Sequence, residues 1–130
     1  MKSTAEKLLI KPDCAVWASH ADRLDLIGPL PAAATTAAGL GSADVAVVFA
    51  DDAAALRKIL TKQRAHLLKP GVLWIAYPKA NRTDINRDSL WPILTEYGMR
   101  PISQIAVDDT WSALRFRGLK EGEPPFTGGA

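Results

Sequence analysis

The sequence predicts a single three-layer α/β domain, Rossmann-like, with a mostly parallel sheet and an antiparallel hairpin at its C-terminal end. Three observations carry this reading. Val45-Ala46-Val47-Val48-Phe49-Ala50 and Val72-Leu73-Trp74-Ile75-Ala76-Tyr77 are continuous apolar runs, as expected of strands covered on both faces. Helical patterns alternate with these runs, which calls for right-handed crossovers between parallel strands. Last, 102–107 and 111–116 flank Asp108-Asp109 as the two arms of a hairpin.

Taken in chain order, Ser3-x-x-Glu6 has capping-box spacing ahead of Leu8 and Leu9, so a short helix or turn is expected there as a lid on the core. Lys11-Pro12-Asp13 ends it. Cys14-Ala15-Val16-Trp17-Ala18 is a short apolar run with β-branched and aromatic residues at its centre, read as a buried strand. Ser19 is suited to cap a brief helix through Ala21, Leu24 and Ile27, which Gly28-Pro29 stops. The segment from Pro31 to Ser42 has neither strand volume nor helical punctuation, and an edge strand and a loop both fit. After the strand at Val45, a helix is expected from about Asp52 to Leu68, with Leu56, Ile59, Leu60 and Leu67 on its apolar face and Lys69-Pro70-Gly71 as its stop. Beyond the strand at Val72 come a polar loop from Lys79 to Asp84 and a helix through Leu90, Ile93, Leu94 and Tyr97. Asp88 is its expected N-cap, because Pro92 is tolerated only close to a helix start. The stretch from Gly118 to Ala130 is polar and rich in Gly and Pro, and reads as a mobile tail after a domain spanning 1–117.

Composition narrows the function classes. At 130 residues, with 48% hydrophobic and 23% charged residues, the chain has room for one domain and a core that needs no metal or disulfide. A net charge of +2 is too small to point to nucleic acid or an anionic membrane surface. The single cysteine, Cys14, has no internal partner, and no metal-ligand spacing is present. No stretch approaches a signal h-region or a membrane span, so the expected location is the cytoplasm.

The piece from Asp44 onward resembles the C-terminal half of a class I, Rossmann-like methyltransferase. The resemblance rests on Asp44-Val45-Ala46-Val47-Val48-Phe49, on the helix ending in Leu68-Lys69-Pro70-Gly71, on the strand Val72 to Tyr77, on Tyr97-Gly98 and on the terminal hairpin. More of the chain, most of 5–117, resembles an uncharacterised family of small bacterial proteins that are reduced versions of that fold. Here the carriers are Lys11-Pro12, the turn from Leu26 through Ile27-Gly28-Pro29-Leu30-Pro31, Tyr77-Pro78-Lys79, and Ala106-Val107-Asp108-Asp109-Thr110-Trp111-Ser112. The resemblance implies a fold and no activity.

An S-adenosylmethionine enzyme needs a Gly-rich turn after its first strand, where the backbone approaches the cofactor, and an acid ending its second strand for the ribose. This sequence has Ser19-His20-Ala21-Asp22 at the first place and the carboxylate-free Ala32 to Ala38 at the second. It therefore reads as lacking that cofactor. The rule that open α/β sheets bind ligands beyond the carboxyl ends of their strands picks the candidate ligand-binding residues: Ser19 and His20, Asp51 and Asp52, and Tyr77, Lys79, Asn81 and Arg82. Ser19, Asp51 and Asp52 are equally suited to helix caps. His20 can carry a proton near neutral pH, but without a nucleophile set against it reads as solvated. Lys79, Arg82 and Arg87, with Asn81, could hold an anionic group, against the plainer reading of a solvated loop.

Three function readings follow. The first is a non-catalytic or small-ligand-binding methyltransferase-like domain. The second is a small enzyme acting on an anionic metabolite at Lys79, Asn81 and Arg82, with Asp51 or His20 as acid-base group. The third is an interaction module, such as a homodimer, using the closing hairpin and the tail around Pro124-Pro125-Phe126.

Overall fold

The computed structural model describes residues 3–80 and 82–125. The chain opens with α1 (Thr4–Lys7), held by a reciprocal capping box: the Glu6 N–H donates to Ser3 Oγ at 3.2 Å and the Ser3 N–H to Glu6 Oε1 at 3.3 Å. It ends with Leu9 in the left-handed region (φ 66°), while the Leu9 N–H reaches Glu6 O and the Ile10 N–H reaches Ala5 O, both at 3.0 Å. That is the Schellman closure with leucine where glycine is usual.

Strand β1 (Ala15–Ala18) follows, then a 3-10 segment over Ala21–Leu26 and the two-residue strand β2 (Thr35–Thr36). The alanine-rich segment thus forms an exposed edge strand, paired in parallel through Ala15↔Thr35 and Val16↔Thr36. Strand β3 (Val45–Phe49) is buried at every position, and β4 (Val72–Pro78) at all but its first. Between them lies α2 (Ala53–Lys62), shorter than the sequence pattern implies. The chain changes to a 3-10 turn at Arg64–His66, which buries Leu67 and leaves Leu68 63% exposed.

Helix α3 (Arg87–Thr95) starts two residues earlier than an Asp88 cap would allow. Asn86 is the cap: its Oδ1 accepts from the Asp88 N–H at 2.8 Å and the Ser89 N–H at 3.0 Å, and Ser89 Oγ accepts from the Asn86 N–H at 2.9 Å. Pro92 consequently sits inside the helix, in its second turn. Strands β5 (Met99–Ala106) and β6 (Trp111–Gly118) form the hairpin, and Asp108 Oδ1 makes its turn by accepting from the Thr110 N–H at 2.8 Å and the Trp111 N–H at 2.7 Å. Pro101 and a register shift between Pro101 and Ser103 interrupt β5, the outer strand.

The sheet order is β2-β1-β3-β4-β6-β5, with β6 antiparallel to both β4 and β5 and the remaining pairs parallel. Alternation along the strands divides the core in two. Ala46, Val48, Ile75, Leu114 and Phe116 face α2 and α3, where they meet Leu56, Leu60, Leu90 and Leu94. Val45, Val47, Phe49, Trp74 and Ala113 face the other way, toward Ala5, Leu8 and Ile27. Each fully buried Leu, Ile, Val or Phe contributes about 1.5–3 kcal/mol, so these two layers outweigh every individual cap and ion pair described below.

The first residues of the segment read as a mobile tail make contacts with the domain. The Leu119 N–H donates to Gly98 O at 3.1 Å, and the Glu123 carboxylate lies 2.8 Å from Arg117 and 3.0 Å from Arg100. Phe126 and the rest of the tail, 126–130, lie outside the described residues.

Candidate functional site

The order of strands reverses between β1, which runs on to β2, and β3, which runs on to β4. In an open α/β sheet the crevice above that pair of carboxyl ends is the place for a ligand. Here Ser19-His20 leaves β1 and Asp51-Asp52 leaves β3, so the topology brings four of the candidate residues to the switch point.

Their contacts are with one another and with the fold. Ser19 does not cap the following segment, whose N-cap is His20 with no side-chain hydrogen bond. Instead the Ser19 N–H donates to Val47 O at 3.0 Å, and Ser19 Oγ accepts from the Phe49 N–H at 2.8 Å. The hydroxyl thus extends the β1–β3 ladder by one bond beyond the regular strand. Ser19 Oγ also lies 2.8 Å from His20 Nδ1, so the imidazole has a hydroxyl set against it after all. The oxygen already accepts from the Phe49 amide and keeps both a proton and a second lone pair, so which of the two groups donates is set by the imidazole tautomer.

Arg23, from the 3-10 segment, reaches across the crevice. Its Nη2 donates to Asp51 Oδ2 at 3.2 Å, with Nη1 2.9 Å from Oδ1 in an ion pair whose N–H is not aimed along that contact. The guanidinium lies over two rings, 5.7 Å from the Phe49 centroid and 5.2 Å from that of Trp111. Phe49 and Trp111 meet edge to face at 5.4 Å, and His20 meets Phe49 in the same manner at 6.4 Å. Edge-to-face and cation–π contacts therefore run from His20 through Phe49 and Arg23 to Trp111 at the switch point.

Asp52 caps α2 by accepting from the Ala55 N–H at 2.7 Å, and Asp84 from the neighbouring loop accepts from the Ala53 N–H at 2.9 Å. The positive end of this helix dipole is occupied by two of the chain's own carboxylates, which repel an incoming anion.

Tyr77 is buried in β4, and Gln104 Nε2 donates to its hydroxyl at 2.8 Å. Burial pushes its pKa up, with hydrogen bonds from Ser112 and Gln104 opposing. The Lys79 N–H donates to Thr110 O at 2.7 Å, and its ammonium donates to Asp108 O, so the lysine braces the hairpin turn. Arg82 is exposed in the loop, and Asn81 lies outside the described residues. Sequence reasoning missed Arg23, Asp84 and Trp111, each brought to the site by tertiary packing; the hairpin stretch that contains Trp111 points to a fold and not to a site. Among the described residues no cluster of three or more His, Cys, Asp or Glu is placed to hold a metal ion, and no helix is long and apolar enough to cross a membrane.

The fold and its switch point define a Rossmann-like, methyltransferase-like domain. Among solved structures, a protein of the NADB-Rossmann superfamily from Streptococcus agalactiae superposes with a TM-score of 0.60 at 11% identity, over 98% of this chain and 72% of that one. An uncharacterized protein from Listeria monocytogenes serotype 4b gives 0.53 at 14% identity, over 98% and 70%. A ribosomal protein L11 methylase from Lactobacillus delbrueckii subsp. bulgaricus gives 0.52 at 13% identity, over 88% and 75%. At these identities the likeness is one of fold alone. No protein-family model and no curated protein matches the sequence.

Proposed function

We propose that this chain is a non-catalytic, cytoplasmic methyltransferase-like domain of the small bacterial kind whose turns it shares, with a switch-point crevice that holds the sheet together instead of a cofactor. The observation that carries this reading is the bridge from β1 to β3: the Ser19 hydroxyl on the Phe49 amide, with Arg23 paired to Asp51 above Phe49 and Trp111. Two sequence features support it. The turn after β1 has no glycine to let a cofactor approach the backbone, and the exposed pair Thr35-Thr36 is followed by no acid for a ribose.

The bridge sets a scale for the cost of opening. Leaving the buried Phe49 amide without an acceptor costs about 1–3 kcal/mol. The part-exposed ion pair adds at most about 1 kcal/mol, and the cation–π contacts about 0.5–1 kcal/mol each. A total of about 3 kcal/mol weakens any ligand that needs the crevice open by roughly a hundredfold.

Calorimetric titration with S-adenosylmethionine and S-adenosylhomocysteine tests the reading. No saturable heat is expected, and micromolar binding of either overturns it. The second reading, an anion site at Lys79, Asn81 and Arg82, has less support because the Lys79 ammonium is already engaged by Asp108 O.

A further inference from the structure

We propose that the opposite edge of the sheet, at the amino-terminal ends of β1, β3 and β4, is a binding site for a small organic anion: an oxyanion head group held by Arg115 and Lys11, on an apolar body. A cavity of about 330 Å³ opens there between Lys11, Cys14, Asp44, Val45, Val72 and Arg115. A second, of about 510 Å³, lies against it and shares Leu9 and Lys11 as walls, with Ile10, Pro12, Leu30 and Pro31 continuing the apolar surface. Both volumes fall in the range of small-molecule sites, and an apolar wall with a few converging charges is the usual make-up of one.

Arg115 sits in β6 opposite Trp74 of β4, and the indole N–H of Trp74 donates to Leu8 O at 2.9 Å, fixing the α1 turn beside the cavity. Arg115 Nε is buried and has no hydrogen-bond partner among the described residues. A buried donor of a charged group is normally satisfied, so Arg115 stands in the cavity wall with hydrogen-bonding capacity that the fold itself does not use.

The local charge favours an anion over a cation. Asp44, the one carboxylate lining this cavity, is already committed to the backbone. Its Oδ2 accepts from the Ala15 N–H at 2.9 Å, while its own N–H donates to Ala15 O at 2.8 Å and its carbonyl accepts from the Val72 N–H at 3.1 Å. Lys11 and Arg115 make no ion pair among the described residues, which leaves two cations against one tethered carboxylate in the smaller cavity, while Glu6 in the wall of the larger one accepts from the Ser3 N–H at 3.3 Å. Leu9 adds an independent sign. A leucine at φ 66°, 38% exposed, combines backbone strain with exposed apolar surface, and its side chain forms a wall of both cavities. This inference stands whether or not the switch point is closed, since no residue is shared between the two places.

The test is an amide-detected NMR titration of the full chain with hexanoate and hexyl phosphate, which carry the two common oxyanion heads, against 1-hexanol and hexylamine as neutral and cationic counterparts. Expected are saturable shifts at Leu9, Lys11, Cys14, Asp44 and Val72, with at least one anion binding at least tenfold tighter than both counterparts. Arg115→Met is expected to weaken that anion at least tenfold. Lys11→Met, at an exposed position that leaves the fold intact, is expected to weaken it at least threefold, and it decides the matter should Arg115→Met fail to fold. Absence of shifts at these amides, equal binding of hexanol, or anion binding that survives in the folded variants overturns the proposal.

Discussion

Replacing Ser19 by alanine isolates the bond on which the closed crevice depends. The Phe49 amide lies in a residue with no exposed surface, and Ser19 Oγ is its acceptor at 2.8 Å. Alanine removes that acceptor and leaves the amide unsatisfied, which costs about 1–3 kcal/mol. The bond to His20 Nδ1 is lost as well, but its groups are half-buried and can turn to water. A net destabilisation of about 2 kcal/mol is therefore expected. For a chain of this length that corresponds to a fall in Tm of roughly 7 °C. Urea unfolding followed by tryptophan fluorescence measures it. The control is His20→Ala, which keeps the Phe49 bond and is expected to cost less than about 1 kcal/mol. A Ser19→Ala variant within about 0.5 kcal/mol of the parent, or a His20→Ala variant that costs as much, refutes the role given to this hydroxyl.

Other outcomes follow from the same geometry. Asp52→Ala and Asp84→Ala each remove one acceptor from the first turn of α2, and each is expected to lower stability by about 1 kcal/mol in urea unfolding. Glu123, paired with Arg117, accepting from the Lys120 N–H and facing Arg100, has its pKa lowered from 4.5 to about 2. A depressed carboxylate stabilises above its unfolded pKa, so this contribution is fully present above about pH 4.5 and is lost as the pH falls toward about 2. The protection factors of the Leu119 and Lys120 amides, corrected for the intrinsic pH dependence of exchange, should fall over that window, and Glu123→Gln should remove the dependence. Gly41→Ala places a methyl 2.9 Å from His66 Nδ1 and should cost about 1–3 kcal/mol, measured the same way as the caps.

The parts of this fold that read from sequence are those whose local pattern and tertiary role agree. Val45–Phe49 and Val72–Tyr77 are continuous apolar runs because both faces of those strands are covered, and Ser3-x-x-Glu6 closes its capping box within four residues. The Asp108 turn is similarly local. Helix starts were less legible where two capping residues compete: Asn86 wins over Asp88 because Ser89 returns a bond to its backbone. The α2 pattern overran because Leu67 is buried from a 3-10 turn and not from a longer helix. The brief helix expected through Ala21, Leu24 and Ile27 is instead a 3-10 segment over Ala21–Leu26 with no buried residue, and of that apolar spacing only Ile27 is buried. The candidate site was half legible. Topology located Ser19, His20 and Asp51, but nothing in the sequence announces that Arg23 and Trp111 would pack over them.

The claim that the switch-point crevice is closed by the chain itself is tested most directly by amide NMR while S-adenosylmethionine is added to millimolar concentration. The account predicts that the resonances of Ser19, His20, Phe49 and Asp51 do not move. Saturable shifts at those four amides, with a Kd in the micromolar range, contradict it.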